Sequence, residues 1–177
     1  GSVDVCIRFG PGGYPDVRAE QLQVETVAVV CSPLYRERLD LREPRDLARC
    51  TLLHDDVLAD HGLHVGWRDW LDAAGQAGLV APEHQRFSHS HLALNAAAAA
   101  QGAALARRSL VEAELASGQL IAPFPVRVPS GLNYWLVTPT RMDDESAAGR
   151  FCAWLRQEMS DEPVASSSNV VPGKPAS

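Results

Sequence analysis

Lysine is almost missing from this chain: the single one is Lys174, close to the C-terminus. Its rarity removes Schiff-base chemistry and the usual phosphate-loop lysine from the folded part. No G-x-G-x-x-G follows a strand-like run, and no G-x-S-x-G nucleophile elbow is present. Gly10 to Gly13 (GPGG) is glycine-rich but lacks the helix start that a phosphate cradle needs, so it reads as a tight turn. The cysteines Cys6, Cys31, Cys50 and Cys152 form no C-x-x-C pair. Three of them lie in apolar runs and read as small buried hydrophobes, and a reducing cytosol is the inference. The longest apolar stretch, Ala93 to Ala106, is alanine-rich and broken by Gln101 and Gly102, too weak to span a bilayer. No signal peptide is visible, so a cytoplasmic location and no membrane partner are expected. The chain opens directly on a strand and is expected to begin in mid-domain.

Apolar residues make up 46% of the 177, enough for a sizeable core. The net charge of −6 suits nucleic acid poorly, because phosphate contacts need clustered basic side chains.

Periodicity predicts strands at Val3 to Phe9, Leu22 to Cys31, Cys50 to His54, Gln85 to Ser88, Gly102 to Ala106, Leu120 to Phe124 and Leu132 to Thr138. Helices are predicted at Trp67 to Ala74, His91 to Gln101, Leu110 to Ser117 and Ser146 to Met159, with short ones opening at Ser32-Pro33 and Pro44. In the last long helix Phe151, Trp154 and Leu155 are expected on one stripe. Asp55 to Val65 reads as a loop, and 161–177, rich in Ser, Pro and Val, as a disordered tail. Strands alternating with helices indicate an α/β fold.

The candidate site centres on Phe87 to Phe124, where Ser88 and Ser90 stand before an alanine-rich helix. A helix start with a capping hydroxyl, here assigned to Ser90, holds a carboxylate or other anion. Arg8, with Phe9 and Gly10 after it, closes the first strand and faces either an acidic ligand or a surface carboxylate. Of Tyr134 and Trp135 one must point to a core, and Tyr134 suits a place where its hydroxyl finds a partner. His61-x-x-His64 and His89-x-His91, near Asp55 and Asp56, fix no shared geometry and read as solvated histidines, so no metal or cofactor is expected.

In order, DVCIRFG, VCSPLY, DLARCTLLHDD, WRDWLDAAG, FSHSHLALNAAAAAQGAALARRSLVEAELASGQLIAPF, GLNYWLVTP and RFCAWLRQEM resemble the effector-binding domain of LysR-type transcriptional regulators. They are most similar to the branch that includes the glycine-cleavage activator and the β-lactamase regulator AmpR. The resemblance covers nearly all of Val3 to Met159. It implies a fold like the type II periplasmic binding proteins, with two α/β lobes joined by two crossover strands near Val24 to Thr26 and Asn133 to Trp135. A partial first lobe would comprise 1–26 and 135–160, and the second lobe 27–134.

The implied function is regulatory rather than enzymatic. A small anionic or zwitterionic effector, an amino acid or peptide-like molecule, would be held in an inter-lobe cleft by Ser90, His91 and Tyr134, with Arg8 and Phe9 at the far edge. His91 stands where a hydroxyl residue is more usual. The family's N-terminal helix-turn-helix, linker helix and first strand–helix–strand have no counterpart in this sequence. DNA contact is therefore expected only through the absent N-terminal domain, and the first lobe is expected to expose an edge around Val5 and Ile7. Self-association as a dimer or tetramer is expected. A solute-binding protein of a transport system is the second reading, and a small hydrolase or metal enzyme the third, against which the inventory above argues.

Overall fold

The computed structural model describes residues 5–55 and 65–161. Most of the expected loop after Asp55, with His61 and His64, and nearly all of the expected tail lie outside the described residues. The chain elements begin with β1 (Cys6–Gly10), β2 (Arg18–Gln23), β3 (Thr26–Val30), α1 (Pro33–Leu39), β4 (Thr51–Asp55), α2 (Trp67–Ala73) and β5 (Glu83–Phe87). They continue with α3 (Ser90–Ala98), β6 (Ala103–Arg107), α4 (Glu112–Ser117), β7 (Val128–Pro129), β8 (Asn133–Thr138) and α5 (Ala147–Asp161). Short 3-10 turns at Pro44–Arg49 and Arg108–Leu110 fill two connections.

Contacts divide the chain into two compact units, whose described parts are 5–25 with 131–161, and 26–55 with 65–130. In the first unit β8 pairs antiparallel with β1 on one side and β2 on the other. Leu136 of β8 and Cys152 and Leu155 of α5 form its core, with Val5, Leu22, Met142 and Met159 packed around them. Glu20 of β2 ties α5 down by accepting Nε of Arg156 at 2.9 and 3.0 Å. The expected stripe on α5 is split: Leu155 is buried, whereas Phe151 and Trp154 are 40% and 54% exposed and pack on each other with ring centroids 5.8 Å apart. Spacing alone chose the wrong pair, because small Cys152 fills the helix position against the sheet. β1 is an edge strand among the described residues, and its Ile7 is 51% exposed while Val5 is half-buried.

The second unit is a mixed sheet in the order β5-β4-β6-β3-β7. β4 runs parallel to both neighbours, and β3 is antiparallel to β6 and β7. Both faces are covered, which is why β3 reads as one apolar run. Trp67, Trp70 and Leu71, at i, i+3 and i+4, seat α2 beside Leu52, Leu47 and Phe124 on one face. Ala93, Ala96 and Ala97 seat α3 beside Leu53 and Leu120 on the other. The alanines let α3 approach closely, and Gly102 carries this further: a Cβ there would meet Thr51 O at 2.6 Å and Leu53 Cδ2 at 2.7 Å.

Two strands differ from expectation. The run Leu22 to Cys31 is not one strand but β2 and β3, which belong to different sheets and are separated by Val24 and Glu25. Hydropathy does not register a change of sheet. Leu120 to Phe124 is not a strand; it makes a single bridge, Ile121 to Cys31, because Pro123 and Pro125 remove ladder donors.

Candidate functional site

In the first unit, antiparallel pairing sets Phe9 opposite Tyr134 and Arg8 opposite Trp135. Opposed residues share a face and neighbours alternate, so Phe9 and Tyr134 stand on one face and Arg8 and Trp135 on the other. The Phe9 and Tyr134 rings are 4.9 Å apart at a 42° tilt. Arg8 is therefore not brought together with Tyr134; its guanidinium lies 5.0 Å from the Tyr14 ring centroid instead. Trp135 Nε1 donates to Gly10 O at 2.9 Å. Its indole covers Gly12, whose φ of +86° and 2.5 Å clearance to Trp135 Cζ2 both require glycine. The GPGG segment is an irregular connection covered by an aromatic ring, and the turn expected there falls instead on Pro15 and Asp16.

In the second unit, Ser90 and His91 form the first turn of α3, at the C-terminal edge of β4. Helical geometry leaves the first amides without intrahelical acceptors. The N-cap is His89, in extended conformation and with no side-chain cap bond, so the assignment of Ser90 as N-cap is corrected. One residue further in, the Ser90 hydroxyl turns away from the helix and donates to Oδ2 of Asp55. Asp55 thus places a negative charge at the positive end of α3, satisfying the helix dipole from within the chain. Ser88 Oγ and His89 Nδ1 are 3.0 Å apart, and the His89 and His91 rings are 5.4 Å apart. His91 is exposed and Ser90 half-buried. The sequence set Asp55 near His89-x-His91 only as a metal-ligand grouping without shared geometry; its hydrogen bond to Ser90 follows from the fold, which brings the end of β4 beside a turn 35 residues later.

A model of the LysR substrate-binding domain matches residues 1–160. The chain belongs to the LysR substrate-binding domain family. It is 35% identical over 157 residues to the glycine cleavage system transcriptional activator of Escherichia coli strain K12, covering 86% of this chain and 48% of that protein. It is 33% identical over 155 residues to the transcriptional activator AmpR of Rhodobacter capsulatus, covering 86% and 50%. The chain thus spans about half the length of the curated relatives it matches. The effector domain of AmpR from Pseudomonas aeruginosa superposes with a TM-score of 0.65 at 30% identity, covering 89% of this chain and 72% of that one.

The chain is accordingly an effector-binding domain of a LysR-type transcriptional regulator, with the periplasmic-binding-protein-like fold of that family. The matched relatives are transcriptional activators, so the domain is regulatory rather than catalytic. The matches go to regulators, so the transport reading is not favoured. Among the described residues no helix is long and apolar enough to cross a membrane.

Proposed function

We propose that this chain senses a small zwitterion, an amino acid or short peptide, and passes its presence to the DNA-binding part of a LysR-type regulator in the cytoplasm. The proposed effector contacts of the second unit are those of the Ser90–His91 turn; the first unit's own candidates are Phe9 and Tyr134, which share one face of its sheet. The observation that carries the choice of ligand is Asp55 beside the α3 amides. A bare anion arriving there meets a carboxylate. A zwitterion meets complementary charge twice: its carboxylate takes the amides and its ammonium takes Asp55. Arg8, on the far face from Tyr134, is outside this contact set. Effector binding would act by shifting an equilibrium between arrangements of the regulator, which in the whole protein self-associates as a dimer or tetramer and touches DNA through its N-terminal domain. Saturation-transfer NMR with mixtures of amino acids, their N-acetyl derivatives and short peptides tests it. Zwitterionic members should receive signal and N-acetylated ones should not. Equal signal from the two sets contradicts the zwitterion.

A further inference from the structure

The second unit carries a pair of imidazoles that effector binding does not use. His54 is on β4 and His84 on the edge strand β5, with Leu52 paired to His84 and His54 paired to Arg86. His54 and His84 therefore stand on one face, the face of Leu52 and α2, opposite the one that carries Asp55 and Ser90. Their nearest nitrogens, His54 Nε2 and His84 Nδ1, are 2.9 Å apart, and the ring centroids are 5.1 Å apart. The His54 ring is backed by Trp67 at 6.4 Å. Trp67 is itself held, donating Nε1 to Leu53 O at 3.1 Å. His84 is exposed, so water and ions reach the pair.

We infer that His54 and His84 are a two-imidazole seat for a divalent transition ion of the nickel or copper type. Two neutral rings at this spacing share one proton in an N–H···N bond. For an ion to take both lone pairs, the donor ring changes tautomer: the shared proton leaves to solvent and another is taken up at that ring's second nitrogen, so each ring stays neutral and no net proton is released. Imidazole nitrogens bind such ions at about 2.0–2.1 Å, and two of them in adjacent positions of a square or octahedral shell stand about 2.9 Å apart. The pairing of β4 and β5 already sets that separation, and each ring turns so that its lone pair faces the ion instead of the neighbouring nitrogen. Among the described residues no group of three or more His, Cys, Asp or Glu could hold an ion, so the seat is built on the two imidazoles. The bound ion ties edge strand β5 to β4 and stabilises the sheet.

The test is titration of the 177-residue chain with Ni²⁺ by calorimetry and thermal unfolding, with Mg²⁺ as the comparison. The chain should take one Ni²⁺, unfold at a higher temperature with it, and return to its starting midpoint with EDTA, while Mg²⁺ does nothing. His84→Gln, at an exposed position, should weaken Ni²⁺ binding about tenfold or more, and His54→Gln should do the same. His89→Gln and the pair His61→Gln with His64→Gln should retain it. Absence of a Ni²⁺-specific shift overturns the inference. So does binding that survives His84→Gln, or that is lost only with His61 and His64.

Discussion

Ser90, in the first turn of α3, donates its hydroxyl to Oδ2 of Asp55 at the end of β4. A serine at a helix start was expected to satisfy the helix; here it satisfies a strand carboxylate. The bond is half-buried and has a charged acceptor, so Ser90→Ala should cost about 1 kcal/mol. Urea unfolding followed by tryptophan fluorescence measures this, through Trp67 and Trp70 of the same unit.

Gly102 admits no side chain. A Cβ there runs into the backbone oxygen of Thr51, which cannot swing aside as a side-chain tip would. Gly102→Ala should destabilise by about 2 kcal/mol. Gly78, at φ +82° with open space around it, should cost only about 1 kcal/mol as alanine. Comparing the two urea midpoints separates clash from backbone strain.

Ala100 offers the opposite change. It sits at φ +58° just past α3, where Gln101 N bonds Ala96 O at 3.0 Å and Ala100 N bonds Ala97 O at 3.1 Å. This is the Schellman ending that glycine ordinarily occupies. Ala100→Gly should stabilise the protein by about 1 kcal/mol, read as a rise in urea midpoint.

The buried thiols make stability pH-dependent on the alkaline side. Burial pushes Cys31 up from 9.0 to about 12. Burial likewise pushes Cys50 up to about 11. Above pH 9 the unfolded chain loses these protons and the folded one keeps them, so the folded state binds more protons. Stability is therefore full below pH 9 and falls as the pH climbs toward the folded values. Urea midpoints at pH 8 and pH 10.5 should show that fall, and Cys31→Ala should reduce its slope. In the folded protein at pH 8, a thiol reagent should modify half-exposed Cys6 and spare Cys31, Cys50 and Cys152 until the chain unfolds.

The elements with one clear apolar face were legible in the sequence. Trp67, Trp70 and Leu71 marked α2 to within a residue, and Asn133 to Thr138 read directly as a strand. What failed depended on partners distant along the chain. The boundary between β2 and β3 is a change of sheet inside a continuous apolar run. Phe151 and Trp154 have core-like spacing but face outward. In the candidate site, the order of motifs pointed to Ser90 and Tyr134. The opposite faces of Arg8 and Tyr134, the carboxylate of Asp55 and the pairing of His54 with His84 are all consequences of strand register. The sequence drew the eye to His61-x-x-His64 because those histidines are near neighbours, whereas His84 is 30 residues from its partner.

Calorimetric titration of the chain with the zwitterion that gives the strongest NMR signal measures effector binding at the start of α3. Binding should be saturable and should weaken about tenfold or more in both Ser90→Ala and Asp55→Asn, the two ends of the hydrogen bond at the start of α3. Binding unchanged in both variants would contradict it.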